Sequence, residues 1–150
     1  MKIAVFPGSF DPITLGHVDV IERSLPFFDQ VIIAVGFNST KASGLFSVEN
    51  RLKQISAATK HLSNITVVSY EGLTIDFCKK NKATTIIRGL RNTVDFEFEK
   101  SIAQMNKNLA PEIETLFLFT DQKLAAINSS IVRDIIRNGG DANQFLPFEL

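Results

Sequence analysis

Two hydrophobic periods alternate along this chain, and that alternation restricts its fold more than any other feature. Short runs rich in β-branched and aromatic residues, apolar at nearly every position, occupy residues 3–6, 31–35, 65–68, 84–87 and 116–119. Between them the apolar residues fall at helical spacing: Val18, Ile21 and Leu25; Val48, Leu52 and Ile55; Ile75 and Cys78; Val94, Phe98, Ile102, Met105 and Leu109; Ile131, Ile135 and Ile136. A run that is apolar throughout belongs to a strand covered on both faces, which helices on the two sides of a parallel sheet provide. The pattern predicts one doubly wound, Rossmann-like α/β domain over residues 1–150, with five parallel strands in the order 3-2-1-4-5. Helix boundaries agree with it. Ser47 caps the segment opening at Val48, Pro111 ends the long helix after Leu109, and Gly139-Gly140 closes the last one.

Composition narrows the function. At 150 residues the chain is long enough for a core without staples, and its single cysteine, Cys78, permits neither an internal disulfide nor a thiolate metal cluster. Sixteen basic and sixteen acidic residues cancel, so neither nucleic acid nor a membrane is an expected partner, and any anion must be met locally. No apolar run approaches the length of a membrane span, and Met1-Lys2 opens no signal-peptide pattern, which makes the cytoplasm the expected location.

In open α/β sheets ligands bind beyond the carboxyl ends of the strands, at the point where strand order reverses. The loop after the first strand reads Pro7-Gly8-Ser9-Phe10-Asp11-Pro12-Ile13-Thr14-Leu15-Gly16-His17. Thr14 is placed to cap a helix, Gly16 allows close approach of a ligand, and His17 falls in the first helical turn, whose free N–H groups attract phosphate. The positive end of the helix favours a neutral imidazole. A lone Gly-x-His would read as a solvated histidine beside an ordinary turn. The whole run, however, resembles the signature of the nucleotidyltransferase superfamily in its Thr-x-Gly-His form. Placed this near the amino terminus, it resembles the phosphopantetheine adenylyltransferase family, and the likeness extends to the Phe145-Leu146-Pro147 segment.

Other segments carry the same resemblance. Arg88-Gly89-Leu90-Arg91 follows the apolar part of the fourth strand, next to the first in the expected order; planar guanidiniums suit phosphate. The resemblance implies that Arg88 meets the phosphopantetheine phosphate, and that Gly89, Leu90 and Arg91 meet ATP. Asp95 and Glu99 share a helix face and by themselves read as a solvated acidic flank, while the resemblance puts Glu99 at the nucleotide. Ser129 and Ser130 open the last helix, where hydroxyls cap or hold phosphate. The stretch Leu124, Ala125, Ala126, Ile127, Asn128, Ser129 and Ser130 resembles the family's triphosphate cradle, with Asn128 where its first serine stands.

The remaining roles rest on the same resemblance. Ser9, Phe10 and His17 are implied at ATP, and Ser9, Lys41, Thr74 and Arg88 at phosphopantetheine. Lys41 lies in the polar loop 36–47, where a lysine is ordinarily just solvated. The resemblance pairs it with His17 as a catalytic residue. Further implications are Mg²⁺ accompanying ATP and a homohexamer; the sequence shows no dedicated carboxylate cage for a metal. Two alternatives remain open: a sister transferase using nicotinamide mononucleotide or glycerol phosphate, and a non-catalytic nucleotide sensor on the same scaffold.

Overall fold

The computed structural model describes Met1–Leu150. Strands β1 (Ile3–Gly8), β2 (Gln30–Phe37), β3 (Ile65–Glu71), β4 (Thr85–Leu90) and β5 (Glu114–Phe119) alternate with helices α1 (Leu15–Ser24), α2 (Val48–Ala58), α3 (Thr74–Lys80), α4 (Thr93–Leu109) and α5 (Ser129–Arg137). All strand pairings are parallel, and the order is β3-β2-β1-β4-β5, as the sequence predicts.

Period-two alternation of the strands divides the interior into two layers. Ala4, Phe6, Val31, Ile33 and Val35 point to the side covered by α1 and α2, where they meet Ile21 and Ile55. Ile3, Val5, Ile32, Ala34 and Ile86 point the other way, onto Ile75 and Cys78 of α3 and onto Ala110 and Ile113 beyond α4. Burying an aliphatic side chain such as Ile33 or Ile21 contributes about 1.5–3 kcal/mol. Cys78 is core, as expected, and burial pushes its thiol up to about 11, leaving it inert.

Two elements depart from the sequence reading. The long apolar stripe of α4 is not core: Val94, Phe98, Ile102, Met105 and Leu109 are all exposed, and its only buried residue is Glu99. The second departure concerns β4, which runs three residues past its apolar part, so that Arg88, Gly89 and Leu90 are strand rather than loop, paired with Phe117, Leu118 and Phe119.

These extensions create the crevice. β1 pairs with β2 out to Gly8, but with β4 only at Ala4 and Val5. Beyond Val5 and Ile86 the two halves of the sheet part while each stays paired with its outer neighbour. Pro7, which has no N–H to give to a ladder, stands at the split.

Candidate active site

Two hollows open from this split. One, of about 310 Å³, is lined by His17, Arg88, Arg91, Asn128, Ser129 and Ser130 among others. The second, of about 250 Å³, runs toward Tyr70, Thr74, Asn106 and Thr115. Pro7, Gly8, Ser9, Arg88 and Glu99 line both, so the hollows meet at the ends of β1 and β4.

His17 is the third residue of α1, whose N-cap is Thr14. Its Nδ1 accepts the Thr14 backbone N–H at 3.0 Å, taking the place a glutamate fills in a capping box. That bond settles the tautomer: the remaining proton is on Nε2, which is a donor. The buried Phe10 ring packs edgewise on the imidazole, with centroids 5.2 Å apart. Burial, followed by the positive charges of Arg88 and Arg91, lowers the pKa of His17 to about 4. The neutral donor anticipated from the helix end is thus the form present at neutral pH, with desolvation as the larger cause.

Both arginines are held from α4. Glu99, 8% exposed, accepts from Arg88 Nε at 2.9 Å and Nη2 at 2.6 Å, and Pro7 O accepts from Nη1. Asp95 accepts from Arg91 Nε at 2.9 Å, from Nη2 at 3.0 Å and from its backbone N–H. In each pair the carboxylate occupies the side of the guanidinium fork formed by Nε and Nη2, leaving N–H groups of Nη1 and Nη2 for an anion. The Arg91 side chain and backbone hold the Asp95 carboxyl below its usual range, against the opposing effect of partial burial. The sequence presents Asp95 as a solvated flank, although its spacing of four from Arg91 is the visible signal of the pair. Glu99 lines the crevice and its contact is with Arg88.

At the start of α5, Asn128 Oδ1 accepts the Ser130 N–H at 2.8 Å. An asparagine in place of the family's serine therefore acts as the N-cap, a task both residues perform well. Ser129 and Ser130 border the first hollow, and Arg133 adds positive charge beside them, donating to Ser130 Oγ at 3.0 Å and to Asp11 O at 2.9 Å. Gly89 lets β4 pass under α1: a Cβ there would stand 3.0 Å from Val20 Cγ2. Thr74 borders the second hollow, its hydroxyl 2.8 Å from that of Tyr70.

Not every expected residue converges. Lys41 is exposed on the loop after β2 and borders neither hollow, and Leu124, Ala125 and Ala126 do not line either one. Leu90 is buried in β4, so its side chain faces the interior. The sequence reading missed the buried pair Asp11 and Arg51, which joins the first loop to α2.

Residues 5–135 match the cytidylyltransferase-like family model. The phosphopantetheine adenylyltransferase of Flavobacterium psychrophilum is 55% identical over 147 residues, covering 98% of this chain and 96% of that protein. The chain belongs to the phosphopantetheine adenylyltransferase family. The member from Levilactobacillus brevis is 48% identical over 98% of this chain and 91% of its own length. Among solved structures, a putative nicotinate-nucleotide adenylyltransferase from Vibrio parahaemolyticus superposes with a TM-score of 0.71 at 25% identity, covering 97% of this chain and 94% of that one. A bifunctional NMN adenylyltransferase/ADP ribose pyrophosphatase from Francisella tularensis gives a TM-score of 0.75 at 21% identity. It matches 98% of this chain and 45% of its own, a likeness of fold alone. The crevice between β1 and β4 therefore lies in a chain of the phosphopantetheine adenylyltransferase family.

Proposed function

We propose that this chain transfers the adenylyl group of ATP to 4′-phosphopantetheine, giving dephospho-coenzyme A and pyrophosphate, with ATP in the first hollow and phosphopantetheine in the second. The convergence of His17, Arg88, Arg91, Ser129 and Ser130 on one split in the sheet carries this reading. Identity of 55% over nearly the full length favours phosphopantetheine over the mononucleotide acceptors of the structural neighbours.

A phosphate oxygen of phosphopantetheine attacks the α-phosphorus of ATP. The new O–P bond forms as the bond to the bridging oxygen of the β-phosphate breaks, and pyrophosphate departs with that electron pair. A phosphate oxyanion needs no general base, and the reaction needs no covalent enzyme intermediate, so positioning and charge stabilisation lower the barrier. His17 donates Nε2–H to an oxygen of the α-phosphate. The outer N–H groups of Arg88 hold the acceptor phosphate where the hollows meet. Arg91, Ser129, Ser130 and the amino end of α5 hold the β- and γ-phosphates. Ser9 stands between the two substrates, backbone at Phe10, Gly89 and Ile127 borders the nucleotide, and Thr74 lies beside the pantetheine arm. Glu99 and Asp95 act through the arginines they orient. Lys41 reaches the phosphates by movement of its loop, an ammonium following charge toward the leaving group.

Mg²⁺ accompanies ATP in this proposal. No group of three His, Cys, Asp or Glu residues is placed to hold a metal, and the two crevice carboxylates are engaged by guanidiniums. Its ligands would therefore be phosphate oxygens and water, where it would offset charge on the departing pyrophosphate. We also place the chain in the cytoplasm, as a homohexamer, with neither nucleic acid nor membrane as partner; no helix is long and apolar enough to cross a membrane.

The test is to incubate the protein with Mg²⁺-ATP and, separately, 4′-phosphopantetheine, nicotinamide mononucleotide or glycerol phosphate, following pyrophosphate. Release with phosphopantetheine alone is expected. Release with another acceptor instead would make it a sister transferase, and ATP binding without pyrophosphate from any acceptor would make it a sensor.

A further inference from the structure

Asp11 and Arg51 are each 5% exposed and carry opposite charges, with Nε and Oδ1 3.4 Å apart. Their hydrogen bonds go elsewhere, to two stretches of backbone. Asp11 Oδ2 accepts the Leu45 N–H at 2.9 Å, and Oδ1 accepts the Phe46 N–H at 2.8 Å. Arg51 donates from Nε to Phe46 O at 2.9 Å and from Nη1 to Ser9 O at 3.2 Å. Gly44 lies against the pair with φ +85, and a Cβ there would fall 2.3 Å from Asp11 Oδ2 and 2.9 Å from Arg51 Nη2.

Buried ion pairs rarely stabilise a fold more than well-packed apolar residues would, and their best-attested use is to fix one arrangement among several. Here the two segments fixed are functional in position. Ser9 lines both hollows, and residues 44–46 are the landing point of the loop that carries Lys41. Three residues of chain reach at most about 11 Å, so the place where residue 44 is anchored limits where Lys41 can swing.

We propose that Asp11 and Arg51 are positioning residues for adenylyl transfer, holding the end of the Lys41 loop in a fixed relation to Ser9 at the junction of the two substrate hollows. This rests on the reading of Lys41 given above. A pair that only stabilised the fold would affect melting and leave the turnover of folded protein untouched. A pair that aims Lys41 affects turnover, because the lysine acts as charge moves toward the leaving group, and a misplacement of about 1 Å can lower a rate by about 100-fold.

Arg51→Lys retains the charge without the divided donation to Ser9 and Phe46, and Gly44→Ala perturbs the pair while removing neither charge. Each is to be assayed alone and combined with Lys41→Ala, at a temperature where circular dichroism shows it folded. Asp11→Asn, which keeps a single acceptor oxygen, replaces either variant if it does not fold. The expected result is a fall in kcat of about tenfold or more, with KM for both substrates changed less than about threefold, and no further fall in the Lys41→Ala background. Wild-type kcat in folded variants of lower Tm would reduce the pair to a structural role and overturn the proposal. Losses that multiply with that of Lys41→Ala would overturn it while leaving Lys41 its role. Lys41→Ala with wild-type kcat would remove both.

Discussion

His17 shows how one backbone hydrogen bond can fix a side chain's chemistry. With Nδ1 committed to the Thr14 N–H, Nε2 is the only N–H the neutral ring can present to a phosphate oxygen. His17→Ala removes one preorganised donor and is expected to lower kcat by about 10²–10³ in steady-state assays, while leaving the affinity for ATP nearly unchanged. Protonation follows from the same surroundings. The folded pKa, about 4, lies below the unfolded value of 6.5, so between these values the unfolded chain takes up a proton that the native protein refuses. Stability is therefore full above pH 6.5 and declines as pH falls toward 4, by about 3 kcal/mol from this group. In NMR spectra of the free protein the His17 ring resonances should stay constant from pH 8 to about 5.5; a transition near 6.5 would contradict the burial argument. The Arg88–Glu99 pair acts at the same scale. Glu99→Gln leaves the guanidinium poorly oriented and should raise KM for phosphopantetheine by about tenfold or more, more than KM for ATP, because Arg88 is the residue assigned to the acceptor.

Among the elements, α4 departs furthest from what its sequence suggests. Its helical period is plain, yet the stripe from Val94 to Leu109 is exposed, and the buried position is taken by Glu99, which holds Arg88. The homohexamer proposed above would cover this exposed apolar stripe with another copy of the chain. Phe98→Asp at the middle of the stripe should lower the mass found by light scattering. A wild-type chain that is monomeric at micromolar concentration would contradict that assignment. β4 departs in the opposite direction. Residues 84–87 are legible as a buried strand, but Arg88-Gly89-Leu90 lacks the composition of one. It stays in the ladder because β5 continues beside it and because glycine at 89 fits beneath Val20. Arg88 therefore sits on a paired strand end, which holds a guanidinium more firmly than a loop would.

At the scale of the molecule, the five strands could be read from the chain because strands covered on both faces leave unbroken apolar runs, and their order and the place of the crevice followed from the doubly wound fold class those runs point to. The turns and helix caps in the loop from Pro7 to His17 and at the start of α5 were legible for a different reason, because turn formers and caps act locally, whereas their assignment to nucleotide phosphates came from the family resemblance. Partners distant in sequence left no such trace. Nothing near Asp11 announces Arg51, and nothing near Arg88 announces that β1 and β4 separate after Val5 to make room for its side chain. That separation joins the two hollows, and the direct displacement proposed above depends on it, with the acceptor assigned to Arg88, the α-phosphate to His17 and the leaving group to Arg91 and α5. The most direct test is the stereochemical course with ATP made chiral at the α-phosphorus by a single sulfur substitution. Inversion in the dephospho-coenzyme A product is predicted for one in-line transfer between the two hollows, whereas retention would require an adenylylated enzyme and contradict the account.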